Sequence, residues 1–227
     1  MSEKLEWKNY RFITPLSVFF VVVLIVSNIV STKLTTIWAF TFDGGTILFP
    51  LSYIFGDIIT EVYWYKEAKK IIYLWFISAL FTSSVIILVW VLPSASDWHF
   101  QEAYNQILWL TPRIVLASLI AYFVGEFSNS YILAKIKIWM KGKYLFVRTI
   151  GSTIVGEFFD TILFVLIAFY GVFPDNVLLI IIISNYIFKV WVEILFTPLT
   201  YLIVNKLKKT ENIDFYDKKT NFNPFKF

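Results

Sequence analysis

FITPLSVFFVVVLIVSNIVST, Phe12–Thr32, runs for 21 residues without one charged side chain. As a helix rising about 1.5 Å per residue it is about 31 Å long, the thickness of a bilayer's hydrocarbon core. It is too long for a signal-peptide core and no small-residue cleavage site follows Asn28, so it reads as a retained span. Working outward, five more apolar stretches follow: Thr46–Tyr63, Ile71–Leu92, Leu110–Leu133, Thr149–Val172 and Leu178–Val204. The last is over-long and is expected to tilt or to extend past the membrane. Leu34–Phe42 is apolar but too short to cross, and reads as a re-entrant or interfacial segment ending at the turn-forming Asp43-Gly44-Gly45. The fold class is therefore an all-α integral membrane protein with six transmembrane helices. Residues 1–11 form an N-terminal segment, 12–204 one six-span domain and 205–227 a polar tail.

Composition agrees. The 227 residues are 58% hydrophobic and 16% charged, with a mean hydropathy of +0.70. A soluble domain has about 25% charged residues. This excludes a soluble enzyme and a disordered chain. The absence of cysteine excludes disulfides and thiol chemistry, and the single histidine, His99, excludes a multi-histidine metal centre. No cofactor or metal is expected.

The basic residues set orientation. Seventeen of the 20 lie on one side: Lys4, Lys8 and Arg11; Lys66, Lys69 and Lys70; Lys135, Lys137, Lys141, Lys143 and Arg148; and six after the last span, from Lys206 to Lys226. Lys33 is alone on the other side. By the positive-inside rule both termini are cytoplasmic, as an even number of spans requires. The net charge of +4 is thus a topology signal rather than a nucleic-acid footprint. Trp38, Trp64, Trp90, Trp98, Trp109 and Trp139 fall near span ends, as an interfacial belt does.

Eight ionisable residues lie within or at the edges of spans: Asp57, Glu61, Arg113, Glu126, Glu157, Asp160, Lys189 and Glu193. Such groups cost about 3 kcal/mol at a span centre and face cavities or partners. Asp57, Asp160 and Lys189 each fall about 16 Å along their spans, near mid-bilayer. Six carboxylates against two cations leave a negative surplus that a low-dielectric interior resists. Either some stay protonated or a cationic, donor-rich ligand binds. The bland alternative is that Lys189 with Glu193 and Asp57 with Glu61, each spaced i, i+4, anchor helix packing.

Pro15, Pro50, Pro112 and Pro198 interrupt the spans, and Asn28, Asn129 and Asn185 offer amides that bond across helices. Gly-acid pairs recur at Gly56-Asp57, Gly125-Glu126 and Gly156-Glu157. At a shift of about 100 residues, Ser27-Asn28 aligns with Ser128-Asn129 and Gly56-Asp57 with Gly156-Glu157. This makes a 3+3 inverted repeat, with a site at the repeat interface, a candidate reading.

In this order and spacing the motifs resemble the vitamin-uptake/queuosine-precursor transporter family of small six-span bacterial proteins. They are Phe49-Pro50 followed by Asp57, Glu61 and Tyr63; Arg113, Ala121-Tyr122 and Gly125-Glu126-Phe127-Ser128-Asn129; Arg148-Thr149-Ile150-Gly151-Ser152-Thr153, Asp160-Thr161 and Phe164; and Asn185 and Lys189. The chain departs from the family pattern with Glu126 and Glu157 where many members look like Gln, Asn129 where they look like Asp, and Trp64 where Gly usually follows the tyrosine. The resemblance implies a multi-pass protein of the bacterial plasma or inner membrane. It would import 7-deazaguanine bases such as queuine or 7-cyano-7-deazaguanine for queuosine salvage, with no nucleic-acid partner. A homo-oligomer is compatible with it.

The candidate substrate-binding residues are Asp57, Arg113, Glu126, Asn129, Glu157, Asp160, Asn185 and Lys189. A carboxylate accepts the paired N–H donors of such a base, and Lys189, Asn185 or Asn129 could donate to its carbonyl. Tyr122, Phe158, Phe164 and Tyr186 offer stacking walls. Two other readings compete. An intramembrane enzyme lacks a histidine partner for serine and a G-x-S-x-G motif. A substrate-binding membrane subunit of an ATP-driven vitamin importer would need another chain for energy, since no Walker loop occurs.

Overall fold

The computed structural model describes residues 10–37, 40–108, 110–217 and 220–223. Trp38 and Trp109 of the expected belt, and Lys4, Lys8, Lys218, Lys219 and Lys226 of the basic set, lie outside them. The elements are α1 Ile13–Val30, β1 Leu34–Ile37, β2 Phe40–Asp43, a 3-10 turn Gly44–Ile47, α2 Phe49–Val91, α3 Gln101–Leu108, α4 Thr111–Trp139, α5 Leu145–Phe169 and α6 Asp175–Glu211. Five helices, α1, α2, α4, α5 and α6, are long and apolar enough to cross a membrane.

Expected spans two and three are two helical arms of the 43-residue element α2, the second folding back on the first. The backbone breaks at Trp64, with φ 71° and ψ 165°. Tyr53 and Trp75, eleven residues to either side, both pack on Tyr122, with ring centroids 5.9 and 4.6 Å away. A straight helix would hold those two residues about 33 Å apart. The expected loop of Trp64–Lys70 is absent: one residue turns the chain and Lys69 and Lys70 belong to the returning arm.

Counting the two arms of α2 separately, the long helices of the described residues make six passes through one bundle. At one end Phe12 N donates to Glu211 Oε1 (3.0 Å) and Tyr10 packs on Phe215, so the first and last described segments meet. At the other end sit the β-hairpin, Thr111 and the C-terminus of α5. Leu34–Phe42, expected as a re-entrant or interfacial segment that does not cross, is part of an antiparallel ribbon pairing Leu34 with Asp43 and Ile37 with Phe40. Its threonines and aromatic residues suit a pleated surface, and Phe42 stacks on Phe188 of α6 at 5.2 Å. The Asp43-Gly44-Gly45 run does not end a helix but opens the 3-10 turn, capped by Asp43 through Gly45 N.

Polarity is inverted relative to a soluble protein. Val18, Phe19, Ile77, Phe81, Leu195 and Leu202 are exposed, while Asp57, Glu61, Glu126, Asn129, Glu157 and Asp160 are buried. An apolar exterior on this scale needs a lipid-like solvent. The Gly-acid pairs explain how the acids enter. A Cβ on Gly125 would stand 2.9 Å from the Gly156 carbonyl oxygen, and one on Gly156 2.9 Å from that of Gly125, so α4 and α5 touch backbone to backbone there. Small residues permit such approach, and the acid following each glycine is carried into the interior. At Gly56 the space a Cβ would need is filled by the Glu126 carboxyl.

The tail is docked rather than a free extension. Tyr65 N donates to Asp217 Oδ2 (3.3 Å), Tyr65 Oη to the Phe222 carbonyl (3.0 Å), and Phe215 packs on Trp64 at 4.3 Å.

Candidate functional site

Two buried polar groups occupy the interior, one nearer the hairpin end and one about a turn deeper. The first surrounds a small cavity lined by Asn28, Ser31, Asp43, Gly45, Thr46, Phe49, Ser118, Asp160, Phe164 and Lys189. Lys189 Nζ donates to Asp160 Oδ2 (2.7 Å), stands 3.0 Å from Glu157 Oε2 and lies over the Phe49 ring, 4.1 Å from its centroid. Asp160 Oδ1 has no partner among the described residues. Lys189 therefore turns to α5 rather than to Glu193, four residues along its own helix. The i, i+4 anchor is not formed.

Asp43 closes the same cavity. Its Oδ1 accepts from Ser31 Oγ (2.7 Å) and Gly45 N (3.0 Å), and its Oδ2 from Thr46 Oγ1 (2.8 Å) and Asn185 Nδ2 (3.2 Å). Thr46 Oγ1 also lies 3.1 Å from Asn185 Oδ1. Across the cavity Ser118 Oγ donates to Asn28 Oδ1 at 2.5 Å, directing the amide nitrogen of Asn28 elsewhere.

The deeper group holds Asp57, Glu126, Asn129 and Glu193. Asn129 Nδ2 donates to Asp57 Oδ1 (2.7 Å) and Ser130 Oγ to Glu126 Oε1 (3.1 Å). Asp57 Oδ2, Asn129 Oδ1 and both oxygens of Glu193 are buried and find no hydrogen-bond partner among the described residues.

Of the eight expected site residues, Asp160 and Lys189 line the cavity, Asn185 bonds to its wall and Glu157 pairs with Lys189 from behind. Asp57, Glu126 and Asn129 are brought together one layer below. Arg113 stands apart: it donates through Nε to the Ile167 carbonyl and through Nη2 to the Tyr170 carbonyl, both at 2.6 Å, capping the C-terminus of α5. An arginine this close to a helix C-terminus is held by its unpaired carbonyls and dipole. Of the expected aromatic walls only Phe164 lines the cavity. Tyr122 is packed among Phe20, Phe49, Tyr53 and Trp75, and Phe158 is exposed. Sequence reasoning missed Asp43, Thr46, Ser118 and Phe49 as cavity residues. An acid between two apolar stretches was the available signal for Asp43, and it read as turn chemistry.

Glu61 belongs to neither group. It sits at the end where residues 12 and 211 meet, ion-paired with Arg148, with Lys208 at 2.6 Å and with Lys137 at 3.4 Å. Asp214 joins from the tail, 3.1 Å from Lys137 and 2.8 Å from Lys208. The interior accounting therefore changes. With Glu61 neutralised here and Arg113 on α5, the buried acids Asp43, Asp57, Glu126, Glu157, Asp160 and Glu193 are set, among the described residues, against a single ammonium, that of Lys189.

A bundle of long apolar helices around a polar, partly unsatisfied interior cavity is the form of a multi-pass membrane transporter. Residues 43–203 match the family described as "Putative vitamin uptake transporter", and the chain belongs to that family. It is 30% identical over 176 residues to the "Probable queuosine precursor transporter" of Bacillus subtilis (strain 168), covering 77% of each chain. It is 26% identical over 209 residues to the "Queuosine precursor transporter" of Escherichia coli (strain K12), covering 90% of this chain and 91% of that one. These relatives are named as transporters, not enzymes. No solved structure matches.

Proposed function

We propose that this chain imports queuosine precursors, 7-deazaguanine bases, as a secondary transporter with six membrane spans and cytoplasmic termini. The observation that carries this reading is the cavity with Asp160 Oδ1 unpartnered on one wall and Phe49 and Phe164 beside it. A flat base stacks on such rings, and its adjacent ring N–H and amine donors pair with a carboxylate. The six passes support six spans, and the basic residues cluster at the end where the first and last described segments meet, as cytoplasmic ends do. On that orientation the cavity lies toward the outside. The first three passes run opposite in sense to the last three, which suits an inverted repeat. Glu157, Asn185 and Lys189 complete the base site, with Asp57, Glu126 and Asn129 behind it.

Reconstitution tests the reading. Purified protein alone in liposomes should accumulate 7-cyano-7-deazaguanine when a proton gradient is imposed. Binding without any uptake would identify a subunit of an ATP-driven importer instead, and neither binding nor uptake would exclude the base as substrate.

A further inference from the structure

The deeper group has a chemistry that base recognition does not use. Glu193 of α6 is 1% exposed, and neither of its oxygens has a hydrogen-bond partner among the described residues. Its electrostatic neighbour is Asp57 of the first α2 arm, fully buried, with Oδ2 likewise unpartnered. Asn129 of α4 orients the pair. Its Nδ2 is committed to Asp57 Oδ1 at 2.7 Å, which leaves its own buried Oδ1 as a further acceptor without a donor. Four buried oxygens on three helices thus have nothing among the described residues to donate to them. A buried donor or acceptor left unmade costs about 1–3 kcal/mol, more when charged.

The surroundings supply no cation. Glu126 on α4 adds negative charge to Asp57, while Glu61, further along the same α2 arm, is met by Arg148, Lys137 and Lys208. Glu157 on α5 faces Glu193. The one ammonium near them among the described residues, Lys189, is a turn away on α6 and already held by Asp160 and Glu157. Two buried carboxylates that feel each other's charge in a low-dielectric interior resist both staying charged; a proton on one of them relieves the repulsion and supplies one donor.

We propose that Asp57 and Glu193, with the Asn129 amide, form the coupling-proton site of the transporter, distinct from the base cavity above it. The inference rests on the transport reading. A proton on the pair removes the charge that opposes closure of the bundle around it, so the bundle closes when both sites are filled. Glu157 touches Lys189 on one side and faces Glu193 on the other, and so links the two sites.

The test uses Glu193→Gln in the full chain, with Glu193→Asp as the variant that keeps an ionisable group. In liposomes holding a pH-sensitive dye, wild-type uptake of 7-cyano-7-deazaguanine should acidify the lumen. Glu193→Gln should lower the protons moved per base about tenfold or more while reducing downhill exchange of the base much less, a split that marks lost coupling rather than lost binding. Glu193→Asp should restore proton movement. Equal proton movement in wild type and Glu193→Gln would overturn the proposal. So would a rate that follows sodium, replaced by choline at fixed ionic strength, and not pH. Infrared spectroscopy gives a readout independent of substrate: wild type near neutral pH should show a protonated-carboxyl band that Glu193→Gln removes. An unaltered band would also overturn the assignment. Its loss in a protein that moves no deazaguanine would keep the proton site and discard the base.

Discussion

Glu61 and Glu193 are the same residue type, each 1% exposed, in one bundle. Glu61 has three cations, brought by α4, α5 and α6, and Lys137 Nζ also donates to its backbone carbonyl at 2.7 Å. Glu193 has none among the described residues. Burial alone therefore does not say what a membrane carboxylate is for; partners do. Where every charge is met, as around Glu61 and Asp214, the network fastens the helix ends and the tail into one closed face. Where acids outnumber partners, as around Asp57 and Glu193, the buried oxygens are left for a proton or a ligand to satisfy.

The largest effect expected from this contrast is at the paired site. Glu61→Gln leaves the guanidinium of Arg148 buried without its counter-charge and Lys137 with Asp214 alone, a loss of about 3–5 kcal/mol. Glu193→Gln removes an acid that has no cationic partner among the described residues and should leave thermal unfolding in detergent unshifted or raised. If both variants melt alike, the two regions do not differ in how their charges are met.

Between these extremes lies Lys189, the bridge from the cavity to the acids. Lys189→Ala and Asp160→Asn should each abolish uptake, Lys189→Ala also with a stability loss at the lower end of that range, about 3 kcal/mol. The double variant sharpens the comparison. Were the pair a fastening like Glu61, removing both partners would restore folding and uptake together. As base contacts, they should fold well together and stay inactive in the liposome assay.

The sequence made the spans legible because about 20 apolar residues can do little else, and it brought Asp160 and Lys189 to one level because depth along a helix is simple arithmetic. The partners of Glu61 were not legible. Lys137, Arg148 and Lys208 read as cytoplasmic cations, since nothing local says that residues 76, 87 and 147 positions away fold back onto one carboxylate. Arg113 misled for the opposite reason: its partners are backbone carbonyls of α5, which carry no sequence signature. Asp43 was hidden by the hairpin, whose apolar strands are too short to distinguish from a broken helix by periodicity.

Trp64 was half legible, as a departure from the glycine the family usually has there. Its φ of 71° with ψ of 165° belongs to a region that is essentially glycine's, and a non-glycine residue there costs about 1–3 kcal/mol. Contact with Phe215 of the tail offsets part of this, at about 0.5–1.5 kcal/mol for an aromatic pair. Trp64→Ala and Trp64→Gly lose that contact equally, so their difference isolates the backbone. Gly should be the more stable by about 1 kcal/mol, the reverse of the helix-interior order. Ala equal to or better than Gly would mean that the two α2 arms do not reverse at this residue.

The smallest effect belongs to Asp214, at the rim of the paired region. Burial pushes its carboxyl up, but Lys208 and Lys137 outweigh that and hold it below the usual carboxylate range. Its side chain is 45% exposed, so solvent screens the pair and the contribution is about 0–1 kcal/mol. The sign follows from linkage: a depressed carboxyl stabilises tail docking at neutral pH, and that share is lost as pH falls through its lowered value, below about 4. Trp64 fluorescence, read in a background where the other tryptophans are replaced, should report Phe215 leaving it over that acidic window. Asp214→Asn should flatten the response and leave the Glu61 cluster assembled. A transition that persists in Asp214→Asn would move the acid sensitivity to Glu61, and the face whose charges are all met would itself be titratable.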